Sequence, residues 1–159
     1  MRRSDREITD FQEIVAVIEK CEVCRLAMHD EEYPYIVPVN YGMRLEDGRI
    51  VLYFHGAMEG KKYELMERDP KVCFEVDCNH GLYTSEEKGN CTMAYESVIG
   101  FGMIRQIPDE EKYEALRILM AHYHKEDFTF NQAVMPNTRV WKLEVESCTG
   151  KRRVVKQHS

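Results

Sequence analysis

"VLYFHGAMEGKKYEL", residues 51–65, opens as a buried strand and closes as a helix. The apolar run from Val51 ends at His55, and Gly56 and Gly60 then lead into Lys61 and Lys62. The spacing predicts a strand over 50–55 and a short helix over about 59–68, stopped before Asp69-Pro70 because a residue preceding proline avoids the helical region. A helix N-terminus exposes unpaired N–H groups and the positive end of its dipole, which suits an anion. Here two glycines let the backbone approach closely and two lysines supply charge, in a chain of formal net charge −6. The pattern points to a phosphate site; taken alone it also fits an exposed helix start with solvated lysines. His55 likewise fits either a hydrogen-bonded structural residue or, beside an anion, a group that orients a substrate or moves a proton near neutral pH.

Outward from that junction the chain reads as one domain. Its 159 residues, 43% hydrophobic and 31% charged, suffice for one core. Phe11, Ile14, Val15 and Ile18 share a helical face over 9–20, with Thr9 and Gln12 as a capping box. "CRLAMHD" is a short strand, and "YPYIVPVNYGM" alternates as a second, with Pro38 at an edge or irregular position because it donates no ladder hydrogen bond. Asp47-Gly48 between apolar runs marks a hairpin. "KVCFEVDC" turns Val72, Phe74 and Val76 inward, and residues 79–93 read as a polar loop. "YESVIGFGMIRQI" is a long strand whose Gly100 and Gly102 share a face, the sign of a bend or close backbone contact. Asp109 caps a helix with Leu116, Leu119, Met120 and Tyr123 on its buried stripe. "TRVWKLEVES" alternates as the last strand, leaving "GKRRVVK" at 150–156 as a solvated tail. The expectation is a mainly β protein, α+β by count: a small antiparallel barrel of six strands flanked by helices.

Several functions fall away. The acidic balance leaves no extended basic face for nucleic acid. No apolar run reaches the roughly 20 residues that span a bilayer, and "MRRSDREITD" has no secretory h-region, so a cytoplasmic chain without a membrane partner is expected. Cys21 and Cys24 form the one CxxC; without a second pair, free thiols are expected rather than a metal site. No GxSxG or HExxH is present, and His122 and His124, two apart, do not share a helical face. Chemistry would then come from an organic cofactor.

"PYIVPVNYGM", "YFHGAMEGKKYELMERDP", "VCFEVD" and "YESVIGFGMI", together with "MRRSDREI", resemble the flavin-binding split-barrel family related to pyridoxamine 5'-phosphate oxidase, nearest its 5-nitroimidazole-resistance (Nim-like) branch. The blocks keep their order from Arg2 to Val145. The resemblance implies a split barrel and FMN held at a homodimer interface. It implies backbone contacts to the flavin ring from Pro38, Val39, Asn40 and Tyr41, and a border of Phe54, His55 and Gly56. Lys61 and Lys62 would hold the phosphate, Ser97 would add a donor, and Trp141 would reach the flavin from the partner subunit. It further implies an FMN-dependent oxidoreductase acting on a small electrophile such as a nitro-aromatic, with His55 as catalytic residue. The alternatives are a flavin carrier or sensor without turnover, or a split barrel holding haem or deazaflavin. The end "CTGKRRVVKQHS" lacks the arginine/histidine pattern that grips pyridoxal phosphate in the true oxidase, so vitamin B6 oxidation is not implied.

Overall fold

The computed structural model describes residues 3–85, 89–124 and 128–154. In chain order the elements are β1 (Glu7–Ile8), α1 (Phe11–Lys20), β2 (Cys24–Met28), β3 (Tyr35–Val39), β4 (Gly42–Glu46), β5 (Arg49–Gly56), α2 (Lys61–Arg68), β6 (Lys71–Ser85), β7 (Asn90–Gln106), α3 (Lys112–Tyr123) and β8 (Arg139–Arg153). The sheet order is β3-β2-β6-β7-β8-β5-β4, with β1 paired to β8, and the ladders are antiparallel throughout. The edges β3 and β4 are consecutive in sequence and joined only by Asn40 and Tyr41. The sheet is therefore a barrel left open along one slit, which the chain crosses there.

That crossing explains why eight strands form where six were expected. The alternating run around Pro38 is not one strand but two, broken at Asn40-Tyr41, and the two-residue β1 is too short to leave a periodic signal. Tyr41 fixes the break: it is fully buried, and its hydroxyl donates to the Ile18 and Cys21 carbonyls at 2.5 and 3.0 Å. Pro38 does lie on an edge strand, and Asp47 and Gly48 take φ of 48° and 76° in the turn that opens β5.

Other expectations are corrected by where solvent reaches. Residues 79–85 and 90–93 are not loop but the outer part of a β6–β7 hairpin. An extra residue enters β6 between Cys78 and Gly81, with Asn79 at φ 56°; beyond it exposed positions dominate, so no apolar alternation appears in the sequence. Residues 86–88 of that stretch lie outside the described residues. Nor is 150–153 a solvated tail: it continues β8, and Arg152 bonds Glu13 at 2.9 Å and also Glu96; 155–156 lie outside the described residues. Asp10, not Thr9, caps α1, accepting from the Gln12 and Glu13 amides at 2.7 and 3.2 Å. Asp109 opens a 3-10 turn ahead of α3 rather than capping it, and Tyr123 is exposed on α3 rather than buried.

The core has two layers. Inside the barrel, α1 and α2 bring Ile14, Ile18, Tyr63 and Met66 against Leu26, Leu52, Phe54, Phe74 and Leu143. Outside it, Ala115 and Leu116 of α3 cover Val51, Tyr53 and Val140. Strand β5 is thus buried on both faces, which is why Ile50–Phe54 is an unbroken apolar run. Each such side chain stabilises the fold by about 1.5–3 kcal/mol. Gly100 and Gly102 serve close approach: a Cβ at Gly100 would collide with the Phe74 ring, and one at Gly102 with the Glu144 carbonyl. No helix among the described residues is long and apolar enough to cross a membrane.

Candidate functional site

Strand β5 delivers His55 and Gly56 to one rim of the barrel, and the chain enters α2 through Gly60 at φ 146°. That glycine cannot cap the helix with a side chain, and the helix has no side-chain cap hydrogen bond among the described residues. The Tyr63 amide folds back on the Gly60 carbonyl at 2.9 Å, so the first turn is tight and its leading end is open. Gly56 pairs with Arg139, and Phe54 with Trp141, bringing the start of β8 to the same place.

The two lysines part company. Lys61 Nζ lies 2.5 Å from an Asp30 oxygen and 5.3 Å from the Tyr35 ring centre, tying α2 to the turn before β3. Lys62 has no carboxylate partner among the described residues. Its Nζ sits 4.9 Å from the Tyr63 ring centre and beside Gly56. Burial pushes its pKa down with nothing to offset it. The His55 pKa is also held below 6.5, first by the protein crowding the ring and then by the Lys62 charge. Both influences favour the neutral form of the ring.

Under these groups lies a cluster of unused donors. Tyr63, only 3% exposed, stacks on Trp141 with ring centres 5.6 Å apart and planes 10° apart. The Arg139 guanidinium lies 5.6 Å from the Tyr63 ring centre while its Nη1 bonds Glu67 at 2.9 Å. The Tyr63 hydroxyl, Arg139 Nε and Trp141 Nε1 are buried without a hydrogen-bond partner among the described residues. Each such group costs about 1–3 kcal/mol left unpaired. Burial raises the Tyr63 pKa, so its hydroxyl keeps its proton. All three can donate, and Lys62 adds a charge, so groups of these kinds can serve an oxygen-rich anion.

Val39 is half-buried and Pro38 exposed on the β3 edge. Asn40 Nδ2 donates to the Glu22 carbonyl and the Tyr123 hydroxyl, at 3.4 Å each, and the Tyr41 amide donates to that hydroxyl at 3.0 Å; the Tyr41 donor is thus committed within the chain. The ladder pairing Gly42 with Tyr53 directs Asn40 and Tyr41 toward the Phe54–His55 end of β5. Phe54 and Trp141 are core residues, 3% exposed each. Ser97 is apart from the rest. It sits opposite Lys151 on the outer face of β7, while Gln106 is the β7 residue that faces Trp141. Nine residues of strand, about 30 Å, separate Ser97 from that point in one chain. Sequence reading missed Tyr63 and Arg139. The available signal was period two: Arg139 and Trp141 must share a face of the last strand.

Residues 10–152 match the pyridoxamine 5'-phosphate oxidase family. A candidate 5-nitroimidazole antibiotic resistance protein from Bacteroides thetaiotaomicron is 34% identical, with 92% of this chain and 86% of that one covered and a TM-score of 0.80. An FAD-binding protein from Mesorhizobium loti is 24% identical over 94% and 98% of the two chains at a TM-score of 0.66. An FAD and heme binding protein from Mycobacterium smegmatis is 15% identical over 97% and 76%, at 0.79. No curated protein matches the chain. The matched span, the open barrel and the nearly full-length likeness to the Bacteroides protein place the chain in the pyridoxamine 5'-phosphate oxidase family, on its 5-nitroimidazole-resistance-like branch.

Proposed function

We propose that this protein is an FMN-dependent oxidoreductase that works as a cytoplasmic homodimer and reduces a small electrophile such as a nitro-aromatic compound. The observation that carries the reading is the set of orphaned donors, Tyr63 hydroxyl, Arg139 Nε and Trp141 Nε1, next to the unpaired Lys62. A phosphate monoester supplies acceptors for such donors and an anion for the cation, so the residues fit the terminal phosphate of FMN. The Mesorhizobium loti and Mycobacterium smegmatis proteins bind FAD on the same fold, which supports a flavin. The Bacteroides likeness supports a nitro-compound as acceptor.

Bound flavin supplies the electron transfer. The chain's own groups bind and orient. Lys62 and the open end of α2 hold the phosphate. Neutral His55 can donate or accept one hydrogen bond at the strand end without adding charge. Tyr63 and Trp141 stack beside these groups as buried rings. An exposed apolar face supports the homodimer: Ile36, Ile99 and Phe101 are exposed on β3 and β7, and the α3 layer packs instead on β5 and β8.

The purified protein should be yellow, and the mass of the released cofactor should be that of FMN. Mixing the flavin-loaded, reduced protein with a nitro-aromatic compound should restore the oxidised spectrum in proportion to the acceptor added. A colourless protein that takes up no added FMN would overturn the cofactor, and a yellow protein inert to acceptors would leave a carrier or sensor.

A further inference from the structure

Cys21 is the C-cap of α1, and Cys78 lies on β6 just before its register shift. The β2–β6 ladder pairs Cys24 with Val76. Followed back along the chain before β2 and forward along β6, it sets Cys21 across from the stretch at Cys78 and Asn79. Contacts agree with that placement. Lys20 Nζ donates to Glu96 Oε2 at 2.7 Å, Cys78 Sγ lies 3.9 Å from the same oxygen, and Cys78 pairs with Glu96 across β6 and β7. The Cys21 and Cys78 thiols lie close enough to influence one another's titration. Cys24, the other half of the CxxC, is fully buried on the inner side of β2. The structure thus pairs Cys21 with a residue far along the chain rather than with its motif neighbour.

We propose that Cys21 and Cys78 form an oxidant-sensitive thiol pair, which hydroperoxides convert to a disulfide fastening the end of α1 to the root of the β6–β7 hairpin. Cys78 is half-buried and Cys21 is 1% exposed, so Cys78 meets the oxidant first. Its thiolate sulfur bonds one peroxide oxygen, the O–O bond breaks, and the departing oxygen takes a proton, leaving a sulfenic acid on Cys78. The Cys21 sulfur then bonds the Cys78 sulfur, and the sulfenic oxygen leaves as water with the Cys21 proton. In sum, two thiols are oxidised to one disulfide, and the hydroperoxide is reduced to an alcohol and water, or to two waters if it is hydrogen peroxide. The link would fix the Cys21 carbonyl, which accepts from the Tyr41 hydroxyl at 3.0 Å and lies 2.7 Å from His122 Nε2.

The test uses the purified full-length chain. After reduction and exposure to hydrogen peroxide, its intact mass should fall by two hydrogens, and non-reducing peptide mapping should find Cys21 joined to Cys78. Burial raises both thiol pKa values, so formation should speed up about tenfold per pH unit around neutrality. The Cys24→Ser variant should keep the link and Cys78→Ser should lose it. Wild-type mapping needs no variant to fold. Finding Cys21 joined to Cys24, or no link at alkaline pH, would overturn the proposal.

Discussion

Tyr63 and Trp141 lie nearly parallel, 10° apart in plane and 5.6 Å between ring centres, and each carries a buried polar atom that no described residue satisfies. Stacking alone would be served as well by phenylalanine at position 63. Without ligand, Tyr63→Phe should therefore leave stability unchanged or raise it by up to about 1 kcal/mol, because it removes an unpaired hydroxyl. With ligand, the same change should weaken flavin binding several-fold. Urea unfolding of the flavin-free chain and a fluorescence titration of FMN separate the two effects. A variant less stable without flavin and equal in affinity would show the hydroxyl to be a structural group.

The lysine pair gives a sharper contrast. Lys62→Ala removes the cation without a carboxylate partner and should lower FMN affinity about ten- to a hundredfold, as expected for a charge-assisted hydrogen bond of about 1.5–3 kcal/mol. Lys61→Ala breaks an exposed bridge to Asp30 and should leave affinity within about threefold, since such pairs contribute about 0–1 kcal/mol. Equal losses in the two variants, read by the same titration, would mean that Lys61 leaves Asp30 to join the site.

How the lysines divide shows what the sequence could and could not carry. Local order was legible: the Asp47-Gly48 turn, the double burial of Ile50–Phe54 and the glycine openings at Gly56 and Gly60 each follow from residue chemistry within a few positions. Asp30 as the partner of Lys61 was not legible, because its approach depends on the turn before β3 packing against α2. Arg139 and Tyr63 were missed for the same reason, being separated by 76 positions (139 − 63) and joined only when β8 pairs with β5. The outer part of the β6–β7 hairpin was unreadable because no core imposes an apolar face on it.

His55 makes the site pH-dependent. Its folded pKa lies below 6.5 through crowding and the Lys62 charge. As pH falls below 6.5, the unfolded chain takes up the proton first, so stability declines from there down to the folded pKa and is flat above it. Replacing it, as in His55→Gln, should remove that slope. A phosphate bound beside Lys62 offsets the cation and should move the His55 pKa upward, which an NMR titration of the ring with and without FMN would read. A downward or absent shift on loading would place the phosphate elsewhere.

Gly102 tests the barrel itself. Its missing side chain makes room for the Glu144 carbonyl, a backbone atom that cannot swing aside, at the register shift between β7 and β8. Gly102→Ala should cost about 1–3 kcal/mol in urea unfolding, the range for forced overpacking. Gly48→Ala, where a Cβ meets nothing but φ is 76°, should cost about 1 kcal/mol from backbone strain alone. A silent Gly102→Ala would mean that the strands can separate locally without loss.

The proposed homodimer can be tested on its exposed sheet face. Phe101 is 54% exposed on β7 and Ile36 61% exposed on β3, and their strands are linked in register through Cys73 and Ala27. An aromatic ring left half in water contributes little to the single chain, so Phe101→Asp should change its unfolding free energy by less than about 0.5 kcal/mol. At an interface the same carboxylate would be forced out of water against apolar surface, which is strongly unfavourable. Light scattering after size exclusion should then report a dimer for the parent chain and a monomer for Phe101→Asp. If flavin is held between subunits, the monomer should also lose its colour while remaining folded by circular dichroism. A yellow monomer would confine the flavin site to a single chain, and an undisturbed dimer would move the interface off this face.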